Sequence, residues 1–322
     1  MHRLIPTGVA ARPVAFAHVP QPVPGPDEAL VKVEAFAPNR GETFLLDHPP
    51  SRVPDDPPRH PPGHVPDYVP GKDIAGLVVQ PAADGSGPGI GTRVVGHPAQ
   101  GGWAEYAAVP TDALAVLPDT VDTVRAAALP LAGITALRLL RTAGSVAGRR
   151  VLLTGASGGV GHYVTELAVA AGAEVTAVTA TPERGARLAE LGAEVVHDVA
   201  DARGPFDVVL ESTGGPALPV ALAKTRPGGT LVWFGQVSRT PVTLDFFDLL
   251  SGPERVTIRH FHYAGGPYGP DLATLVRLVA QGRLHPEIGR TADWAETAAV
   301  LVDLRERRIR GKAVLLTGGG VR

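Results

Sequence analysis
The sequence predicts an α/β protein in which an antiparallel, barrel-like domain is joined to a doubly wound parallel sheet. Three observations carry that expectation. Residues 151–187 read VLLTGASGGVGHYVTELAVAAGAEVTAVTATPERGAR: an apolar run, a glycine cluster, a stretch at helical spacing and a second apolar run. From Thr123 onward, strand-like and helix-like segments alternate. Before that point the strands are short, turn signals are dense, and most of the 32 prolines of the 322-residue chain occur.

Taken in order, the first part offers strands at Pro13–His18, Leu30–Phe36, Ile74–Val79, Arg93–Gly96 and Ala104–Val109. Between Asp47 and Tyr68, the run DHPPSRVPDDPPRHPPGHVPDY excludes helix and central strand, because proline fixes φ and has no N–H to donate. A surface loop beside whatever the first domain binds is expected there. Val124–Leu140 has helical spacing, with breaks at Gly133 and Gly144. Strands are expected at Val151–Thr154, Val175–Val178, Val195–His197, Val208–Glu211, Thr230–Phe234 and Val256–Phe261. Helices are expected at Gly161–Ala170, Pro182–Leu191, Pro216–Thr225 and Asp245–Leu249. The tail adds helices at Asp271–Gln281 and Trp294–Glu306 and a strand at Ala313–Thr317, which is expected to return to the first domain.

The glycine cluster is where chemistry enters. Gly155 lets the chain turn, Gly158 and Gly159 let backbone N–H groups approach an anion, and Gly161 lets the helix pack close to its strand. With Ser157 and Val160 among them, these residues aim the positive end of a helix at a dinucleotide diphosphate. A glycine triplet alone is a weak signal, and a purely structural turn is its competitor. Here the strand before and the helix and strand after supply the context that a nucleotide site needs.

Composition narrows the classes. Hydrophobic residues at 44% suffice for a full core, and a formal net charge of −2 leaves no electrostatic footprint for nucleic acid. Aromatic residues at 5% are too few for a base-stacking platform. Met1–Ala17 is not a charged-then-apolar leader, and no apolar run is long enough to span a bilayer, so a cytoplasmic protein without membrane contact is expected. The absence of cysteine removes disulfides, thiolate nucleophiles and cysteine-containing zinc sites.

Further segments stand in a specific order. VEAFAPNRGE (33–42), VPGKDIAGLV (69–78), GTRVVG (91–96) and GGWAEYAAVP (101–110) precede the glycine loop, as does LPLAGITAL (129–137). FDVVLESTGG (206–215), RPGGTLVWFG (226–235) and RGKAVL (310–315) follow it. With GASGGVG, this series resembles the medium-chain dehydrogenase/reductase superfamily, in its zinc-free quinone oxidoreductase (zeta-crystallin-like) branch. The resemblance implies a GroES-like β-barrel domain from residues 1–122 and 264–322 and a Rossmann domain from 123–263. It also implies an NAD(P)H cofactor meeting its substrate in a cleft, and a homodimer, often built by joining Rossmann sheet edges. By the same resemblance, Asn39 lines the nicotinamide pocket, Phe44 holds a position that is often tyrosine, and Thr135, Ser212, Phe234 and Gly235 line the coenzyme cleft. Zinc-bearing relatives carry a histidine ligand where this chain has Lys72, in Pro70-Gly71-Lys72-Asp73, and a cysteine ligand near Asn39. An ammonium has no lone pair for a metal, so no metal site is expected.

The end of the second strand of the nucleotide unit bears on which coenzyme is bound. An NAD site places Asp or Glu there to accept from the ribose 2′-OH, and that carboxylate repels a 2′-phosphate. Here the segment is Thr179-Ala180-Thr181-Pro182-Glu183-Arg184, whose hydroxyls and guanidinium suit a phosphate. The family pattern adds a C-terminal basic residue near Arg310 or Lys312. Glu183 and Asp198 argue the other way, and Arg184 with Arg187 also reads as a solvated helix face. NADP(H) is the favoured cofactor, because no acidic side chain closes the strand itself.

Without a metal, the expected reaction is direct hydride transfer to a small electron-poor acceptor, a quinone or an α,β-unsaturated carbonyl. Asn39, Tyr68 and Lys72 are the catalytic candidates: an orienting amide, a phenol to give a proton, and a cation to stabilise an enolate. A structural reading pairs Lys72 with Asp73 or Glu42, makes Tyr68 a loop cap and makes Asn39 a turn residue after Pro38. Alternatives for the whole chain are an enoyl thioester reductase of fatty-acid or polyketide-type metabolism, and a cofactor-binding protein without turnover.

Three rival motifs are weaker. Tyr68-Val-Pro-Gly-Lys72 mimics the Tyr-x-x-x-Lys pair of short-chain dehydrogenases, but Pro70 and Gly71 preclude the helix that pair requires. His48, His60 and His64 are scattered over the proline-rich loop and read as solvated. His260 and His262 share a strand face, where a structural role outweighs proton donation.

Overall fold
The computed structural model describes residues 1–47 and 68–318, so His48, His60 and His64 lie outside the described residues. In chain order the strands and helices begin with β1 (His2–Pro6), β2 (Val14–His18), β3 (Glu28–Phe36) and α1 (Arg40–Asp47). β4 (Ile74–Gln80), β5 (Arg93–Gly96), β6 (Tyr106–Pro110), β7 (Leu114–Val116), α2 (Thr123–Ala127) and α3 (Pro130–Ala143) follow. Then come β8 (Arg150–Leu153), α4 (Gly159–Ala170), β9 (Glu174–Val178), α5 (Pro182–Glu190) and β10 (Glu194–Val196). Next are β11 (Phe206–Glu211), α6 (Ala217–Ala223), β12 (Thr225–Trp233), α7 (Phe246–Ser251) and β13 (Thr257–His260). The tail holds α8 (Gly269–Ala280), β14 (Ile288–Asp293), α9 (Thr297–Arg305) and β15 (Lys312–Leu316).

These elements form two compact units, Met1–Ile134 with Ala264–Arg322, and Thr135–Tyr263. In the first, β3 is the hub: it pairs antiparallel with β4, β6 and β15. Its sequence EALVKVEAF alternates where it must, with Lys32 and Glu34 exposed and Val31 and Val33 buried. The sheet runs β14-β15-β3-β4-β5-β7. Phe36 stacks on Trp103 with ring centroids 5.9 Å apart, and both side chains are fully buried in the core of this unit. The tail strand β15 thus returns to the first unit, as expected.

The second unit is a parallel sheet in the order β10-β9-β8-β11-β12-β13. Numbered from β8, this is the 3-2-1-4-5-6 order of the Rossmann fold, with its ligand crevice at the carboxyl ends of the strands. Leu152, Phe206, Val209 and Leu231 form its core. The fold is therefore α/β, with the doubly wound sheet that the glycine unit predicted.

Some elements differ from expectation. The helix expected over Val124–Leu140 is two helices, because Pro130 has no N–H for a preceding carbonyl and instead starts α3. The helix expected from Trp294 opens as a 3-10 turn, with Asp293 accepting from Ala295 N at 2.8 Å, before α9 proper. β1, α1, β7 and β14 were not expected. Among the described residues no helix is long and apolar enough to cross a membrane.

Candidate functional site
In the second unit, the glycine loop bridges β8 and α4. Gly155 has φ +63°, the left-handed region, and a Cβ there would sit 2.5 Å from Ser212 Oγ. A Cβ on Gly161 would lie 2.1 Å from Ala156 O, so only glycine lets α4 start this close to the loop. Gly158 is the N-cap and has no side chain to satisfy the first-turn amides. His162 N donates to Gly158 O at 3.2 Å, which leaves Gly159, Val160 and Gly161 at the uncapped positive end of a 12-residue helix. That is a fitting cradle for a diphosphate.

Arg184 reaches this loop: its Nε donates to Ser157 Oγ at 3.0 Å. The next residue, Gly185, is buried and lets α5 lie close to β10: a Cβ there would stand 2.5 Å from Val195 Cγ1. The structure thereby brings together two residues, 27 apart in sequence, that had been assigned to the same coenzyme. Thr179 is buried and donates to Thr181 O at 3.1 Å, so both hydroxyl residues hold the turn between β9 and α5. Ser212 Oγ donates to Thr154 O at 3.0 Å. Phe234 is half-buried, and Gly235 lies against Ser212. Thr135 is buried at the start of this unit.

Sequence reasoning missed Glu211. Its buried carboxylate accepts from Thr154 Oγ1 at 3.0 Å, Thr213 N at 2.8 Å and Gly214 N at 3.0 Å. Burial pushes its pKa up, although those donors oppose the shift. Glu211 pins the loop that carries Ser212. An apolar strand ending in a single carboxylate before Gly-Gly was the available signal.

The first unit holds a buried polar cluster. Asn39 Nδ2 donates to Asp73 Oδ2 at 2.9 Å and Glu42 Oε2 at 3.1 Å, while Asn39 Oδ1 accepts from Lys312 Nζ at 2.6 Å. Lys312 also donates to Asp73 Oδ2 at 2.9 Å. Glu42 Oε2 accepts from Asn39 N at 2.9 Å, and its Oε1 accepts from Gly71 N at 3.1 Å. Asp73 Oδ1 accepts from Leu131 N at 2.9 Å and faces His97 Nδ1 at 3.4 Å. Burial, and then the neighbouring Asp73 charge, push Glu42 up to about 7; Asn39 and Lys312 offset this only in part. Burial works against Asp73 too, yet Lys312, His97 and Asn39 outweigh it and hold that carboxyl at about 2.

The catalytic candidates fall in this unit. Tyr68 is buried, and its hydroxyl has no hydrogen-bond partner among the described residues. Burial first, and the Glu42 charge second, raise its pKa above the ordinary phenol value. Lys72 is buried beside Asp73 in the chain. Lys312, assigned from the resemblance to the coenzyme phosphate, instead commits its ammonium to Asn39 and Asp73.

The family model described as the alcohol dehydrogenase GroES-like domain matches residues 25–119, and that described as zinc-binding dehydrogenase matches residues 159–281. The chain is 35% identical to the chloroplast envelope quinone oxidoreductase homolog of Arabidopsis thaliana, over 67% of this chain and 65% of that protein. It is 33% identical to the spectinabilin polyketide synthase system protein NorB of Streptomyces orinoci, over 76% of this chain but only 12% of NorB. Among solved structures, mycobacterial Rv1454c complexed with NADPH matches with a TM-score of 0.84 at 25% identity, over 98% of this chain and 100% of that one.

The residues here do not fit the zinc ion that the second family description mentions. Lys72 stands at one ligand position of zinc-bearing relatives and Asn39 near the other, and the Lys312 ammonium already occupies Asn39 Oδ1. Among the described residues, no three His, Asp or Glu side chains are grouped to hold a metal ion.

Proposed function
The chain belongs to the medium-chain dehydrogenase/reductase superfamily, in its quinone oxidoreductase-like branch, and on that premise we propose an NADPH-dependent reductase of quinones or α,β-unsaturated carbonyls. One observation carries the reading: an uncapped, glycine-lined helix start with the Arg184 guanidinium bonded to the same loop. The NADPH complex of a relative with the same fold supports it.

NADPH supplies a hydride from the nicotinamide ring. Gly155, Ser157 and Gly158 shape the loop, and the amides of Gly159, Val160 and Gly161 take the diphosphate. Arg184 takes the 2′-phosphate beside Thr181, and Thr179 holds that turn through its bond to Thr181 O. Thr135, Ser212, Phe234 and Gly235 line the coenzyme, and Asn39 faces the nicotinamide. We assign Lys312 to holding Asn39 in place rather than to the phosphate, because its ammonium is committed there. Tyr68 stays protonated at any working pH, since its pKa is raised, and so offers the reduced acceptor a hydrogen bond, while the proton itself comes from solvent. Lys72 balances the developing oxyanion.

A second reading, an enoyl thioester reductase, is favoured by the likeness to a polyketide synthase protein. Both readings give a small-molecule acceptor, and a cytoplasmic location is part of the same proposal. A homodimer through β13 is part of the same proposal. The decisive experiment is an NADPH-consumption screen across quinones, enones and enoyl thioesters. Turnover on quinones or enones supports the first reading and turnover confined to thioesters the second; none at all leaves a non-catalytic NADPH-binding protein. Arg184→Glu is expected to weaken NADPH binding by about 100-fold while changing NADH binding less than about threefold. Fluorescence titration with both coenzymes checks this.

A further inference from the structure
Glu42 is the third residue of α1, and its buried carboxylate divides its work between two oxygens. Oε2 accepts from the Asn39 backbone N–H at 2.9 Å, the return bond of a helix capping box, and from Asn39 Nδ2 at 3.1 Å. A cap needs no more than that oxygen. Oε1 accepts instead from Gly71 N at 3.1 Å, 29 positions along the chain. Gly71 ends a short segment that begins at Tyr68, and the backbone groups between them can be accounted for one by one. Val69 N donates to Gln100 Oε1 at 3.3 Å, and Val69 O accepts from Gly101 N at 3.0 Å. Pro70 O accepts from Trp103 N at 3.3 Å, and Gly71 O accepts from Gly102 N at 3.0 Å. Gly71 N is left over, and Glu42 takes it. Gly71 has φ +117°, and a Cβ there would stand 2.3 Å from Trp103 N, so the segment has no room to move closer to residues 101–103. At its other end Tyr68 is 5% exposed, and its hydroxyl has no hydrogen-bond partner among the described residues. No bond of its own fixes the phenol; packing and the backbone that follows it set its place.

We propose that Glu42 is a positioning residue for the reduction: by holding Gly71 N, it sets the Tyr68 hydroxyl where it meets the oxygen of the acceptor. This rests on the reductase reading above.

Helix capping accounts for Oε2 alone, and chemistry separates the two roles. In Glu42→Gln the amide oxygen still accepts from Asn39 N and Nδ2, as the glutamine of a capping box does. The amide NH2 then faces Gly71 N, donor against donor, and Gly71 N loses its partner. The cap is kept and the tie to the Tyr68 segment is cut.

The test is steady-state NADPH oxidation by the full chain, with p-benzoquinone or methyl vinyl ketone as acceptor, in a double-mutant cycle of Glu42→Gln and Tyr68→Phe. Rates are referred to NADPH-binding sites counted by fluorescence titration, so a loss of folded protein does not enter them. Glu42→Gln is expected to lower kcat and kcat/KM together by about tenfold, because the bond to the acceptor oxygen gains strength only as charge develops there. Tyr68→Phe should cost about tenfold as well. In that background Glu42→Gln should cost less than about threefold, since the group it positions is already gone. Glu42→Asp, a methylene too short to span both ends, is run through the same cycle with the same expectation. Losses that multiply, or an unchanged kcat in either Glu42→Gln or Tyr68→Phe alone, overturn the inference and leave the reductase reading standing. If the unaltered chain oxidises NADPH with neither acceptor, both fall.

Discussion
Asn39 offers one amide to two carboxylates; burial raises both, but the charged and donor partners of Asp73 reverse its shift while those of Glu42 do not. Glu42 has a folded pKa of about 7 against 4.5 in a free chain, so its contribution to stability is complete below pH 4.5 and is lost as pH rises through 7. The gap corresponds to about 3 kcal/mol. Asp73, held at about 2 against 3.8, runs the other way: its contribution is present above pH 3.8 and is lost as pH falls through 2. Urea unfolding at pH 5 and pH 8 should show this loss in the unaltered protein, while Glu42→Gln, whatever its constant offset, should lack most of it. Lys312→Met leaves Asp73 buried without its ammonium and is expected to cost about 3–5 kcal/mol at pH 7 by the same measurement. The motifs pointed to Asn39, Tyr68 and Lys72, but the bonds that fix Asn39 join residues 34 and 273 positions away. Only the folded sheet supplies that pairing, so the role of Lys312 in the cluster could not be read from spacing.

At the scale of elements, legibility followed the strength of the local signal. The strand–glycine–helix unit was expected with α4 from Gly161, and α4 begins at Gly159, because the glycines themselves form its first turn. Buried parallel strands such as β8 and β11 announced themselves as short apolar runs between turns. β14 did not: IGRTAD is largely polar and half-exposed, and its place beside β15 is set by pairing rather than by its own pattern. The α2–α3 break shows a single proline overriding helical periodicity. The tightest constraint is the start of α4. Gly161→Ala forces a methyl to within 2.1 Å of the Ala156 carbonyl, and backbone cannot rotate away as a side chain can. The expected outcome is a loss of about 1–3 kcal/mol in unfolding free energy together with loss of NADPH binding. Isothermal titration alongside urea melts separates the two; retained affinity would show that the loop tolerates displacement.

For the molecule as a whole, the question is how many copies associate. With a formal net charge of −2, long-range repulsion between copies is weak. The second unit presents an edge strand, β13, whose four residues are all exposed and whose only sheet partner among the described residues is β12. Beside it, Phe246 and Phe247 are 68% and 74% exposed and Leu250 is 69% exposed. Leu244, Leu249, Val220 and Ile258 help line an adjoining cavity of about 780 Å³. A two-fold operation brings one surface against itself, so an edge strand and an apolar cavity flanked by aromatic side chains can each meet their own copy. Exposed aromatics in a group mark an association surface rather than solvent-facing scatter. The double substitution Phe246→Glu/Phe247→Glu places like charges on both faces of that contact and leaves the glycine loop and Arg184 untouched. Sedimentation velocity at micromolar concentration should then give a dimer for the unaltered chain and a monomer for the variant. A monomer in both would remove the proposed interface, and a dimer in both would move it to another surface.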